Sequence, residues 1–488
     1  MIELKYIIFY GADRMTFDEI LIEIDNAVWG IPLIVLIISA GLMLTVRTGF
    51  IQVRHLPRAL RYLFKEEEGA SGEVSGFASL CTALSATIGT GNIVGVATAI
   101  GIGAGGPGAL FWMWIAAFFG MATKYAEGFL AVKYRTIDSE GHVLGGPFYY
   151  IENGMGKKWK WLAKLFAFFG ACVGLMGIGT FTQVNGISSA VTGFFDPSGA
   201  NCVTLFGNSY SIATIVSGII VALSAGLVII GGIQRISSVS QVVVPFMAIL
   251  YILSVVTLLI CNISKLPAAL SEIIGGAFGI KPIAGGVLAS VLISMRNGVA
   301  RGIFSNESGL GSAPIAAAAA KTNEPVRQGL ISMTGTFIDT IVICTMTGLS
   351  IVMMGSWADP NLQGVQVTTD AFSKGLSFMP SQTAAFILML CLVFFAFTTI
   401  LGWNYYGERC LEYLSGKSRT AVMIYRILYI AAVFIGPYMT VSAVWTIADI
   451  FNGLMAIPNI IALFALNEVI ARDTKDYFKR LKNGEISD

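Results

Sequence analysis

Long apolar stretches alternate with short polar ones from residue 29 to residue 470. A helix that crosses a bilayer needs about 20 mostly apolar residues. Eleven stretches qualify: 29–46, 77–102, 107–132, 162–190, 211–231, 240–261, 284–320, 329–355, 384–407, 420–440 and 442–470. Several are long enough to tilt or to contain a break. The basic residues between them are one-sided. They gather in 47–65, 133–164, 321–327, 409–419 and 472–482, with Arg235. The alternate connections hold only Lys5, Arg14, Lys265, Lys281 and Lys374. Positive loops stay in the cytoplasm, so the pattern predicts a multi-pass cell-membrane protein with its N-terminus outside and its C-terminus inside.

Spans two to six form one set of five and spans seven to eleven another. Five is odd, so the second set enters the membrane with opposite polarity, the arrangement of an inverted repeat. The organisation read from this is an extracellular segment at 1–28 and a peripheral helix with a cytoplasmic loop at 29–76. The first repeat follows at 77–261, the second at 284–470, and a cytoplasmic tail at 471–488. The opening helix of each repeat carries a breaker cluster: Gly89, Thr90, Gly91, Asn92 and Gly95 in the first, Ser305 to Pro314 in the second. Glycine inside a helix costs about 1 kcal/mol relative to alanine. One such cluster reads as close helix packing. Two in register point to unwound backbone at mid-membrane, which survives where a ligand completes its hydrogen bonds.

Composition agrees and narrows the function. Hydrophobic residues make up 55 % of the 488 positions and charged residues 12 %, with a mean hydropathy of +0.75. A soluble protein carries about 25 % charged residues. A soluble enzyme, a disulfide scaffold and a disordered tail are excluded. A net charge of +2 gives no field for nucleic acid. The seven cysteines form no CxxC pair and read as small buried hydrophobes, and His55 and His142 are the only histidines, too few for a histidine metal site. No nucleotide-binding or hydrolase motif occurs. Residues 1–28 hold six acids against Lys5 and Arg14, the wrong charge for a secretory leader.

Half-helix ends supply the chemistry. Free N–H groups at an N-terminus suit a carboxylate and free carbonyls at a C-terminus suit an ammonium or sodium ion. Two broken helices therefore suit a zwitterion, with its carboxylate near Thr90 and Gly91 and its amine near the carbonyls of Phe304, Ser305 and Asn306. On span nine, Thr398 and Thr399 either bond back to the preceding turn or offer hard oxygens to a monovalent cation. Trp403 either packs or limits substrate size. Gln183 either contacts substrate or bonds between helices, and Asn185 reads as an interhelical contact. Asp339 lies mid-span, where an acid marks function by default. It is expected to bind sodium, carry a proton or pair with Arg296 or Arg301, and Glu307 in the break has the same choice of partners. Lys124 and Glu127 read as a surface or gate pair.

Four motifs in order are familiar: ATIGTGNIVG at 86–95, GGPFYY at 145–150, RGIFSNESGLGSAPIAAAAA at 301–320 and GWNYYGE at 402–408. They resemble the alanine or glycine:cation symporter family of the amino acid–polyamine–cation superfamily. The resemblance covers nearly the whole chain. It implies a LeuT-type five-plus-five inverted repeat with two broken helices, plus the peripheral N-terminal helix. It also implies sodium-driven symport of alanine or glycine by alternating access, and no obligate protein partner is evident in the sequence. Carried onto this sequence, it puts Thr90 and Gly91 at the carboxylate, and Phe304, Ser305 and Asn306 at the amine. Gln183 and Trp403 shape the pocket and Asn92 lies at its edge. The implied sodium ion sits among the carbonyls of Ser85, Ile88 and Phe395 and the hydroxyls of Thr398 and Thr399. Where the superfamily's second sodium site uses a neutral residue, the equivalent helix here has Asp339, so ion number stays open. A proton-coupled symporter and, in another class, an ion channel are the rivals. Steep pH dependence without sodium dependence marks the first, and pore rings or filter repeats, which the sequence lacks, mark the second.

Overall fold

The computed structural model describes residues 16–65, 67, 69–138, 141–205, 208–280, 287–439 and 442–486. Lys5, Arg14, Lys281 and the start of span seven lie outside them. Among the described residues the predicted spans are helices, several longer than their apolar stretches. Span one is Phe17–Val28 followed by Ile31–Arg47, interrupted at Trp29–Gly30. Its first turn is closed by a capping box, with Glu19 reaching back to the Thr16 amide and satisfying amides a helix start leaves free. Span three is Gly108–Lys133, span six Gly232–Cys261, span eight Pro325–Met354 and span nine Ser381–Leu414. Spans five and ten are Ile212–Ile229 and Arg419–Ile435. Span eleven runs on as one helix from Ser442 to Lys482. Span four is two helices, Lys160–Met176 and Phe181–Phe195, an interruption that its apolar pattern does not announce.

Corresponding members of the two repeats pack on one another: two with seven, three with eight, four with nine, five with ten. That pairing brings the two interrupted helices face to face at the centre. Large apolar side chains on spans five, six and ten, among them Leu227, Val242, Leu253 and Ile427, are exposed and form the lipid-facing surface, while many of the polar side chains in the spans are buried. Two connections between spans hold helices that hydrophobicity alone misses, Leu266–Ala277 and Val365–Gly375. The second packs over span two, where Thr368 Oγ1 donates to the Ile93 carbonyl at 3.4 Å. Two short hairpins pair 136–137 with 143–144 and 202–205 with 208–211. Of the cysteines, Cys202 and Cys261 are exposed, against the expectation of burial.

The two broken helices are joined at one end, ahead of Gly76 and behind Ala317. Glu73 and Val74 amides donate to the Ala319 carbonyl at 2.8 and 3.1 Å, and the Lys321 amide donates to Val74 at 2.7 Å. Arg135 closes the join, its guanidinium donating to the carbonyls of Ser71, Ala318, Ala320 and Thr322 at 2.6–2.8 Å. Gly72 permits the approach: a β-carbon there would lie 2.4 Å from the Ala320 carbonyl oxygen.

Candidate functional site

Span two is helical over Gly76–Thr87, opens at Ile88–Thr90 and resumes as a wide-turned helix at Gly91–Gly95 and Val96–Ile100, with a 54° bend. Span seven runs Val287–Asn306, opens, and resumes at Ala313–Ala317. Its open stretch is Glu307–Ser312. Glu307, Gly309 and Gly311 have φ of +55°, +93° and +79°, values that disfavour side chains with a β-carbon. Phe304, Ser305 and Asn306 are thus the last helical turn before the break, whose carbonyls a helix C-terminus leaves without intrahelical partners.

The two breaks meet. A β-carbon on Gly91 would lie 3.6 Å from the Phe304 ring and 3.8 Å from the Ser305 Cα. The Gln183 side-chain oxygen accepts from the Thr90 amide at 3.3 Å. Asn92 folds back to accept from the Gly89 amide at 2.8 Å and donates to Asp339 at 2.7 Å. Asp339 also accepts from Ser305 at 2.9 Å and from Thr340 at 2.7 Å. Asn306 donates to Thr340 at 3.0 Å. Asp339 sits in a wide-turned stretch of span eight, Phe337–Cys344, a distortion often found at functional sites.

Beside this cluster, span nine approaches the first break. Thr399 Oγ1 lies 3.3 Å from the Ile88 carbonyl and 3.0 Å from the Phe395 carbonyl, and Thr398 Oγ1 is 3.0 Å from Phe395 as well. Four neutral oxygens from two spans therefore meet in a buried place, a donor set that fits a hard monovalent cation. The Ser85 hydroxyl turns back to the Thr82 carbonyl at 2.7 Å, so Ser85 can join the set only through its own carbonyl. No cluster of acidic, histidine or cysteine side chains able to hold a metal occurs among the described residues, which leaves neutral oxygens as the available ligands.

A family model described as the sodium:alanine symporter family matches residues 14–488. The chain belongs to that family. An uncharacterized transporter of Haemophilus influenzae is 55 % identical over 469 residues, covering 96 % of this chain and 98 % of the relative. The sodium/alanine symporter AgcS of Methanococcus maripaludis is 44 % identical over 476 residues, covering 96 % and 99 %. Among solved structures, MhsT in complex with L-phenylalanine aligns with a TM-score of 0.55 at 12 % identity over 83 % of this chain and 99 % of that one. It shares the LeuT-type fold, and at that identity the likeness speaks to fold alone.

Within this member of the symporter family, several expectations are corrected. Lys124 and Glu127 are not a surface pair: both are buried. Glu127 accepts from the Gly309 and Gly311 amides at 3.1 Å each and from Asn459 at 2.7 Å, pinning the second break. Arg296 and Arg301 do not pair with Asp339 or Glu307. They lie in the helix ahead of the break, around a separate pocket with Asp25 and Asp449. Glu307 is held by Ser312 and by Trp403, whose indole N–H donates to it at 3.0 Å, so Trp403 ties span nine to the break besides packing. Asn185 donates to the Met439 carbonyl at 3.3 Å, the interhelical contact expected of it. Asn459 and Thr340 were not legible as site residues, since they became neighbours only through folding, and Glu127 was legible only as the partner of Lys124.

Proposed function

We propose that the chain carries alanine or glycine into the cell together with sodium, binding both where the two helix breaks meet. The observation that supports this most is the meeting itself: Gly91 against Phe304 and Ser305, with the Ile88 carbonyl beside the span-nine hydroxyls. The carboxylate is held by amides around Thr90 and Gly91, at the start of an outer half-helix where N–H groups are free. The ammonium is held by carbonyls ending at Asn306. The narrow gap between Gly91 and Phe304 suits a side chain no larger than methyl, and Gln183 and Trp403 close the pocket. Sodium is held by Ser85, Ile88, Phe395, Thr398 and Thr399. Asn92 and Asp339 form the polar wall beside the substrate. The basic-loop pattern supports an outside N-terminus.

Symport then follows from differential affinity. Sodium completes the bonding of the first break in the outward-facing state, and substrate bridges the two breaks and favours closure, since a ligand shifts an equilibrium only by what it gains in one state over the other. The test is uptake of labelled alanine into proteoliposomes under an inward sodium gradient against an equal potassium gradient. Accumulation with sodium alone is expected. A specific observation keeps one alternative: Asp339 and Glu307 are both buried carboxylates with no basic side chain within 4 Å among the described residues. Uptake driven by a pH step and indifferent to sodium would assign coupling to one of them and overturn the sodium reading.

A further inference from the structure

Span one ends in a knot of positive charge. Arg47 closes its last turn, and the chain then reverses through Gly49 and Phe50, whose φ values are +68° and +58°. Arg54 returns over that turn: a β-carbon on Gly49 would lie 3.4 Å from its Nη1. Span eleven passes alongside and adds Arg472 and Lys475 from its long extension. These four cations line a groove of about 590 Å³, in which Glu468 is the single carboxylate among the described residues. Arg472 pairs with its neighbour Asp473 at 3.0 Å, while Arg47, Arg54 and Lys475 have no carboxylate within 4 Å among the described residues. The walls are fixed. His55 stacks on Phe478 with ring centres 3.9 Å apart, and Arg58 donates to its Nδ1 at 3.2 Å. Burial, with Arg58 and Arg54 beside it, holds the imidazole below its usual range, so His55 adds no charge at neutral pH. At the base, the hydroxyls of buried Thr474 and of Tyr125 on span three lie 2.6 Å apart.

Like charges gathered around an open space repel one another, and an anion in that space relieves them. Guanidinium groups grip a phosphate through paired N–H donors. The groove lies where the apolar run of span one stops, at the boundary of the bilayer. Val46, Phe50 and Val53 stand beside the cations in the chain and are exposed. A free phosphate would use the guanidinium groups and leave those side chains uncovered; a lipid satisfies both. We propose that this groove binds the headgroup of an anionic phospholipid, with its phosphate on Arg47, Arg54, Arg472 and Lys475 and its acyl chains against Val46, Phe50 and Val53. Basic clusters beside a membrane span attract anionic lipid in this way. A zwitterionic headgroup brings a cation of its own, which one carboxylate among four cations serves poorly, so the site selects net negative charge. The bound lipid bridges span one, which lies outside the two repeats, to the extension of span eleven. This binding does not depend on which substrate is carried.

The experiment uses the full chain in uncharged detergent micelles, with fluorescent phosphatidylglycerol or phosphatidylcholine as the probe and inorganic phosphate as the competitor. Wild type should bind phosphatidylglycerol saturably and about tenfold or more tighter than phosphatidylcholine. Each cation removed should weaken that binding about fivefold. Arg47→Gln with Arg54→Gln should therefore weaken it roughly 25-fold, while Arg47→Lys with Arg54→Lys, which keeps the charge, should stay much closer to wild type. Lys475→Gln reads the same site from span eleven if the double variant fails to fold. Lys164→Gln removes an exposed cation from another basic connection and should change nothing. Equal binding of the two lipids refutes the site. A loss in Lys164→Gln as large as that in Lys475→Gln also refutes it, by making the attraction a diffuse one. Inorganic phosphate that binds as tightly as phosphatidylglycerol assigns the groove to a free anion and refutes the lipid.

Discussion

Thr399→Val removes one hydroxyl and keeps the shape of the side chain. In the native protein that hydroxyl spans from the ninth helix to the first break, 3.3 Å from the Ile88 carbonyl and 3.0 Å from the Phe395 carbonyl. Phe395 loses little, because its carbonyl still has the helix. The Ile88 carbonyl sits in the open stretch and is buried in the protein, so it loses its span-nine partner. One hydrogen bond of this kind is worth about 1–2 kcal/mol net, and the sodium site loses one of its oxygens by the same change. The half-saturating sodium concentration for alanine uptake should therefore rise about 5- to 30-fold. Alanine KM at saturating sodium should change by less than about twofold, since Thr399 does not face the gap between Gly91 and Phe304. The assay is uptake into proteoliposomes with sodium varied against choline at constant ionic strength. A folded variant with an unchanged sodium curve would remove Thr399 from the ion site and with it the convergence that the proposed function uses.

Three further expectations follow from other places. Gly91→Ala should fold, because its new methyl meets nothing nearer than 3.6 Å, but the methyl occupies substrate space; glycine uptake should persist while alanine KM rises, and equal KM values would place the substrate elsewhere. Glu127→Ala removes an acceptor shared by two amides and Asn459 and should lower stability by about 2–4 kcal/mol, read as a fall in Tm in detergent, with a much smaller fall for Glu127→Gln. His142 is raised to about 9 by hydrogen bonds to Glu412 and Glu73; the stability it lends is complete below its ordinary 6.5 and is lost as pH climbs through 9, so Tm should decline over that window in wild type and not in His142→Gln.

Spans were legible because a bilayer imposes a length and a polarity that composition cannot hide. The positions of the breaks were legible too, since glycines and small polar residues stand where an apolar helix has no use for them. Thr398 and Thr399 could be paired with the first break only through the family resemblance, because span nine is the equivalent of span four and not of span two. What sequence could not supply was the partner of each buried charge. Arg301 is three residues from Phe304 and close in sequence to Glu307, yet helical rotation turns it toward Asp25 and Asp449. Glu127 is a full domain away from Gly309 in sequence and in direct contact in space. The interruption in span four was hidden because Met176 to Thr180 is as apolar and glycine-rich as many unbroken membrane helices.

The join between 71–74 and 318–322 couples the two broken helices at one end of the bundle. Ser71 lies just ahead of the half-helix Gly76–Thr87 and Ala320 just behind Ala313–Ala317, and main-chain bonds with one guanidinium hold them edge to edge. Swinging either half by itself would break at least three main-chain bonds and at least one of the four Arg135 contacts at once, a cost of several kcal/mol at about 1 kcal/mol each. The two halves are therefore a single lever.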